Sequence, residues 1–288
     1  MVIREKGFDR AAKKLGLTQP AVSRQIKQLE EAVGKILLIR TSPPKATEAG
    51  MRLLRHFNQV HQLEREVLVE LDPSRKAEWN PLSIGINADS LSCWFLDGME
   101  AFIRKNRIIL DLHVDDQEET FQLFKKGKVS AYIGLKNRFG QNCASSYLGS
   151  MNYKMVCTPE FKQRFFPKGL TKSRLKNAPI AIFNVKDRLH ESTLDEIFGE
   201  IDSRLNTFRI PSPEKLSDVV SSGLAFGYLP VQHCGERLNK GTLLDIAPEH
   251  PVYVDLYWNT WNVQGELLQS FSEEVKHVAK NKLCQRIG

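Results

Sequence analysis

The sequence predicts an α/β protein in three parts: a short basic helical module, one long helix, and a larger region where strands and helices alternate. Three observations carry that prediction. Positive charge is concentrated at one end, since residues 1–55 hold 12 basic and 5 acidic side chains while the other 233 residues carry 29 of each. Apolar positions then recur at three-to-four spacing for about twenty residues from Ala49, the periodicity of a long helix. From Leu82 onward, short β-rich runs alternate with amphipathic stretches, as in βα units.

A chain of 288 residues is long enough for one large domain or two to three smaller ones, each with its own core. A basic module on an otherwise neutral protein favours a polyanion at that end, because neutralising phosphates releases counterions; a solvated basic surface is the plainer alternative. Cys93, Cys143, Cys157, Cys234 and Cys284 are widely separated, with no CxxC and no adjacent His cluster. Reduced thiols are therefore expected, not a metal site or a disulfide framework. No stretch approaches the eighteen apolar residues of a membrane span and no apolar signal core opens the chain, so the expected location is the cytoplasm, away from membranes. Neither HExxH nor a GxSxG elbow occurs, and no enzyme activity, metal or cofactor is expected.

Phe8, Ala11, Ala12 and Leu15 form the apolar side of a first helix that Gly16 stops. Thr18 caps a second helix with Pro20 in its first turn, where a missing N–H costs nothing, and Gly34 ends it. Val22, Ile26, Leu29 and Val33 make its inward stripe. The opposite side offers Gln19, Ser23, Arg24, Lys27 and Gln28. Two short helices joined through Gly16-Leu17 fit a helix-turn-helix, in which Arg24, Gln19 and Gln28 read base edges and Thr18, Ser23 and Lys27 hold phosphates. A basic helical hairpin without that role has the same pattern. Ile36 to Ile39 predicts the first arm of a small hairpin with Arg40 at its tip, followed by Thr-Ser-Pro-Pro-Lys45, so that Arg40 and Lys45 reach the DNA backbone. Thr47 caps the next helix, and Gly50 in its first turn allows close backbone approach.

Along that helix Leu53, Phe57, Val60, Val67 and Leu71 form one line and Leu54, His61 and Leu68 a neighbouring one. A stripe so wide needs a partner, either a second copy of the chain or the chain itself. Asp72-Pro-Ser-Arg-Lys76 reads as a hinge. Beyond it the expected strands are Leu82–Ile86, Ile108–Val114, Ser130–Leu135, Met155–Cys157, Ile180–Phe183, Thr207–Ile210, Gly223–Pro230, Leu243–Ile246 and Val252–Trp258. Helices are expected over Leu91–Arg104, Glu118–Lys126, Arg188–Phe198, Pro213–Ser222 and Glu266–Leu283. The βα repeats imply a mostly parallel sheet. Asn87, Asp89 and Ser90 end the first strand at a helix N-terminus, a natural place for a carboxylate. Asp115, Asp116 and Glu118 follow the second strand, either as partners for a cation or as an ordinary acidic start to a helix. Trp94, Trp258 and Trp261 read as core or interface residues.

Phe8-Asp-Arg-Ala-Ala-Lys-Lys-Leu15, Thr18-Gln-Pro-Ala-Val-Ser-Arg-Gln-Ile-Lys-Gln-Leu-Glu30, Leu37-Leu-Ile-Arg40 and Thr47-Glu-Ala-Gly50 resemble, in order, the winged helix-turn-helix of the LysR-type transcriptional regulators. The likeness extends over nearly the whole chain. Arg40-Thr-Ser-Pro-Pro-Lys45, Asn87-Ala-Asp-Ser-Leu91 and Phe165-Phe-Pro-Lys-Gly169 with Thr171 and Ser173 are similar to the ArgP/IciA subgroup, regulators of arginine export that sense basic amino acids. The resemblance implies a longer first helix, of which Val2 to Lys6 is the end, and hence incomplete packing of the winged-helix core.

It also implies a two-lobed, periplasmic-binding-protein-like effector domain whose lobes cross near 150–155 and 227–235. The expected organisation is a winged helix-turn-helix at 1–48, a dimerisation helix at 49–71 and a hinge at 72–81. The first effector lobe then spans 82–151, the second 152–227, and the return to the first 228–288. The implied partners are double-stranded promoter DNA, an effector such as lysine or arginine, a second or further copies in a homodimer or homotetramer, and RNA polymerase. A stand-alone amino-acid-binding protein is the rival reading.

Overall fold

The computed structural model describes residues 1–72, 79–114, 117–135, 143–184, 189–199 and 205–286, apart from the side chains of residues 59, 62, 65, 66, 69, 70, 117 and 118. The N-terminal module consists of α1 (Phe8–Leu15), α2 (Gln19–Val33), an antiparallel hairpin of β1 (Leu38–Ile39) and β2 (Lys45–Ala46), and the start of the long helix α3 (Glu48–Leu71). Each boundary has a local cause. Gly16 and Gly34 end α1 and α2 in the left-handed conformation, at φ 65° and 70°. Those angles burden any residue with a Cβ. Thr18 Oγ1 accepts from the Ala21 N–H at 3.4 Å, with Pro20 in the first turn.

Val2, Ala11, Ala12, Val22 and Leu38 form the small core of this module, with Ile3, Phe8 and Ile26 against it. The expected inward stripe of α2 is only partly buried. Leu29 and Val33 are exposed, and so is Leu15 of α1. Leu29 instead lines an apolar groove of about 470 Å³ together with Met1, Ile26, Leu53, Leu54 and Phe57. Ile36 is also exposed, so the hairpin's first arm is shorter than expected.

The larger region opens with β3 (Asn80–Ile86). A single helical stretch follows, made of α4 (Ala88–Ser90), a π-turn (Leu91–Phe95) and α5 (Leu96–Lys105). Next come β4 (Ile108–Val114), α6 (Gln117–Lys125), β5 (Ala131–Gly134) and the long β6 (Cys143–Cys157). The chain then forms α7 (Pro159–Phe165), α8 (Lys172–Leu175), β7 (Ile180–Ile182), α9 (Leu189–Phe198), β8 (Thr207–Arg209), α10 (Pro213–Ser221) and β9 (Phe226–Pro230). It closes with α11 (Val231–Asn239), β10 (Leu244–Asp245), β11 (Val252–Trp261) and α12 (Glu266–Lys282). Of these, α7, α8 and α11 are additions to the sequence reading.

These strands form one sheet in the order β4-β3-β5-β11-β6-β9-β7-β8, with β10 beside β6. The outer wings are parallel, as expected for βα units. The middle is not: β6 pairs antiparallel with β11, β9 and β10, and β11 antiparallel with β5. The sheet is therefore mixed, because the connections between the two wings are made by extended strands instead of helical crossovers.

The lobe containing β3, β4 and β5 is left along β6 and regained along β11, at residues 252–261 and not at 227–235. Residues 231–245 stay with the second lobe, because Cys234 packs with Val156, Ala181 and Leu216 and β10 pairs with Val156 and Cys157. Trp94, Trp258, Phe95 and Phe271 fill the centre of the main core, in keeping with the expectation for the two tryptophans. Of the expected hinge at 72–81, residues 73–78 lie outside the described residues and Asn80 already opens β3. No helix among the described residues is long and apolar enough to cross a membrane.

Gly50 locks α3 to the hairpin. A Cβ at this position would lie 2.1 Å from the Leu37 carbonyl oxygen, a backbone atom that cannot swing away. Gly50→Ala should destabilise the N-terminal module by about 1–3 kcal/mol, measured by urea denaturation followed at that module. An unchanged midpoint would mean that α3 does not approach Leu37 this closely in solution.

Candidate nucleic-acid interface and interlobe cleft

Along α2, Gln19, Ser23 and Lys27 recur at four-residue spacing, with Arg24 and Gln28 beside them on the adjoining face. Gln19, Pro20, Arg24, Lys27 and Gln28 are exposed, as is the capping Thr18. Ser23 is half-buried because its hydroxyl accepts from Arg40 Nη1 at 3.4 Å. Arg40 therefore leans back over α2, with its guanidinium 5.8 Å from the Phe8 ring centroid, and does not project from the hairpin's tip. Lys45 stands on the other hairpin strand, opposite Ile39, and is exposed. The two cations thus differ in place, Arg40 held against α1 and α2 and Lys45 open on the second hairpin strand. Lys27 and Glu31 lie 3.7 Å apart on the surface, a contact too solvated to hold Lys27 back from a phosphate.

Two polar devices fix the wing on these helices; the sequence reading missed the first, and of the second it had the helix cap of Thr47 but not its bond to Ile36. Glu30 Oε1 accepts from the N–H groups of Leu37 and Leu38 at 2.8 and 3.1 Å, capping the entry to β1. Thr47 Oγ1 donates to the Ile36 carbonyl at 2.7 Å and accepts from the Gly50 N–H at 3.1 Å. The signal for the first was a glutamate four residues before the glycine that ends α2. Nothing in its spacing says which amides it meets.

The second site lies where β3 ends. Asn87 is extended at φ −78°, ψ 150° and starts the helical stretch. Ser90 is fully buried and its Oγ has no partner among the described residues, and Asn87 Oδ1 is likewise buried without one among them. Asp89 Oδ2 accepts from the Tyr153 hydroxyl at 2.7 Å, which ties this junction to the crossing strand β6. The structure therefore brings Asn87, Asp89 and Ser90 together on one turn. Asp115 and Asp116 lie outside the described residues, as does the side chain of Glu118.

A cluster unseen in the sequence joins the π-turn to α10 and α11. The π-turn carries Ser92, whose Oγ lies 2.9 Å from His233 Nε2 on α11. The Glu214 carboxyl at the start of α10 faces the same hydroxyl, which with an amide N–H and Ser212 holds it below its ordinary range. One hydroxyl proton serves both contacts if Ser92 donates to Glu214 and accepts from an Nε2–H of His233. His233 Nδ1 is then left buried and without a partner among the described residues. Ser92 and His233 are 141 residues apart in the chain, so no motif links them.

All five cysteines are free thiols. Burial pushes Cys157 up to about 12 and Cys234 up to about 11, and raises Cys93 and Cys143 as well. Only about a thousandth of the Cys234 thiol is ionised at pH 8. A disulfide reagent added to native protein at pH 8 should therefore titrate the exposed Cys284 quickly and Cys157 and Cys234 only after denaturation. Rapid reaction at Cys234 would contradict the packing of α11.

Residues 1–51 match the family model described as bacterial regulatory helix-turn-helix protein, lysR family, and residues 79–280 match the LysR substrate binding domain. The HTH-type transcriptional regulator ArgP of Photobacterium profundum is 34% identical over 284 residues, covering 99% of this chain and 95% of that protein. The protein of the same name from Pseudomonas fluorescens Pf-5 is 36% identical over 280 residues, covering 96% and 93%. Among solved structures, full-length LysG of Corynebacterium glutamicum with bound effector Arg superposes with a TM-score of 0.85 at 29% identity, covering 98% of this chain and 96% of that one. ArgP of Mycobacterium tuberculosis gives 0.90 at 27% identity, covering 99% and 97%.

Proposed function

The chain belongs to the LysR family of DNA-binding transcriptional regulators, and from that premise we propose that arginine or lysine, held between its two lobes, controls its grip on promoter DNA. The observation that carries the effector reading is the turn Asn87–Ser90. A buried hydroxyl with no partner costs about 1–3 kcal/mol, and an amino acid's carboxylate beside Ser90 and the first free amides of the helical stretch removes that penalty. Asp89 on the same turn and Glu214 at the start of α10 supply negative charge for an α-ammonium or a basic side chain. Asp115, Asp116 and Glu118 are further proposed partners for that cation. The likeness to a regulator that carries arginine supports the same choice.

For the DNA side, the proposed base readers are Arg24, Gln19 and Gln28, whose amide and guanidinium groups pair with base edges in the major groove. Thr18, Ser23, Lys27, Arg40 and Lys45 hold phosphates, and Pro20 shapes the first turn that presents them. A homodimer or homotetramer is proposed from α3. Phe57 and Leu71 are 50% and 76% exposed, and Val67 and Leu68 are open beside them, an apolar face that a second copy covers. Paired modules then address a two-fold symmetric operator, and the changed geometry of the bound pair reaches RNA polymerase through the DNA.

Titrating the protein against its own upstream promoter fragment, followed by fluorescence anisotropy at several salt concentrations, tests the DNA reading. Arg24→Ala should weaken specific binding by about 1–3 kcal/mol, whereas Lys27→Ala should weaken all sequences alike and lower the salt slope by about one. Equal affinity for promoter and unrelated DNA would sink the base-reading assignment. Calorimetry with arginine and with lysine tests the cleft. Ser90→Ala should reduce affinity roughly tenfold or more, the value of a hydrogen bond to a charged group. Effector binding without any promoter affinity would instead favour a stand-alone amino-acid-binding protein.

A further inference from the structure

Helix α3 touches two bodies with two different faces. Leu53, Leu54 and Phe57 line the apolar groove of the N-terminal module. Arg55 and Asn58, three residues apart and so on one side of the helix, meet the lobe formed by β3, β4 and β5. The Arg55 guanidinium lies 4.5 Å from the ring centroid of Trp261. Trp261 is buried and stacks on Phe124 at 4.2 Å with planes 10° apart, and Phe124 packs on Tyr132 at 5.0 Å. One turn further along α3, Asn58 Nδ2 donates to the Gly127 carbonyl at 3.1 Å. Gly127 has φ +66°, and a Cβ there would come within 3.0 Å of both Cα and Cβ of Arg55. A ring stack, a hydrogen bond and a glycine close approach therefore converge on a single turn of α3. They frame a cleft of about 450 Å³ that Leu63, Val129, Gln264 and Leu268 also line.

The place of Trp261 in the fold gives this contact its meaning. It is the last residue of β11, the strand that begins against Tyr153 in the second lobe and ends beside Cys143 in the first. The irregularity in its pairing with β6, between Leu256 and Tyr257, lies midway along the crossing. A change in the angle between the lobes bends the strand pair there and alters how β11 presents Trp261 to α3. We propose that Arg55 and Trp261 form a clasp that couples the tilt of α3, and with it the DNA-contacting module, to the state of the interlobe cleft. This coupling role rests on the regulator reading above, while the contact itself does not. A clasp that is either stacked or open is the kind of two-state element that two distant ligands can both bias.

Arg55→Lys is the informative variant, because it keeps the charge near DNA while removing the planar group that stacks on an indole. Protein labelled with 5-fluorotryptophan, with the Trp261 signal assigned from Trp261→Phe, reports the contact by fluorine NMR without any ligand. The Trp261 resonance should move in Arg55→Lys and in Gly127→Val, which forces the two surfaces apart. Promoter affinity is then measured with and without arginine or lysine. Wild-type protein should show an effector-dependent change of about fivefold or more. Arg55→Lys should bring it close to onefold, with effector affinity by calorimetry and effector-free promoter affinity both unchanged. An unmoved Trp261 resonance overturns the clasp. A moved resonance with the effector response intact makes the contact structural and overturns its coupling role. A wild-type promoter affinity indifferent to both amino acids overturns the regulator's effector reading, and the coupling role with it, while the resonance still decides the contact.

Discussion

The antiparallel pairing of β6 with β11 is the constraint on which the rest of the molecule depends. Ten residues of β11, Val252 to Trp261, pair with the stretch of β6 from Cys143 to Tyr153, joining both wings of the sheet through one ladder. A hinge made of two hydrogen-bonded strands bends far more readily than it slides, because a slip of one residue reverses every side chain on both faces. The ladder is weakest where its pairing shifts between Leu256 and Tyr257. There Gly149 adopts φ 133°, and the chain's last described residues brace the same point: Ser150 exchanges both backbone hydrogen bonds with Cys284, at 2.9 and 3.0 Å. Residues far apart in sequence thus define one flexible line across an otherwise continuous sheet.

The N-terminal module solves a different problem. Its core is small, so polar groups carry much of the burden of fixing the wing. Glu30 holds two amides of the first hairpin strand, and Thr47 ties that strand to the start of α3 while capping it. The geometry of the DNA-contacting face is consequently set by hydrogen bonds near the surface as much as by apolar packing. Such bonds, when charge-assisted, are worth more than neutral ones and are lost abruptly when one partner is removed.

Local features were legible in the sequence. The glycines that end α1 and α2, the threonines that cap α2 and α3, and the strand-to-helix turn at Asn87–Ser90 all depend on a few adjacent residues, and the structure has them where they were read. Features that depend on partners were not. The length of β6 was hidden because it runs between two wings and changes neighbours along its course, so its burial follows no single period. The apolar stripe of α2 was read as wholly inward, although Leu29 sits at the edge of an open groove and Val33 is exposed. The contacts of Ser92 with Glu214 and His233, and of Arg55 with Trp261, join segments between 122 and 206 residues apart in numbering. Side-chain chemistry alone could not have paired them.

The π-turn at Leu91–Phe95 has a consequence for how this site tolerates change. A helix turns by about 100° for each residue, and a π-turn accommodates one residue more than the α-helix it replaces. Upstream of it, Asp89 is tied to Tyr153 on β6 and Ser90 is fully buried. Downstream, Met99 is buried, and Gly98 comes so close to α12 that a Cβ would meet Val278 at 2.1 Å. The π-turn therefore takes up one residue between two flanks whose partners lie on different elements. Removing that one extra residue would close the wide turn into a regular α-helix with both flanks still in phase, so the change would fall on the turn itself and on the place of Ser92, which it carries.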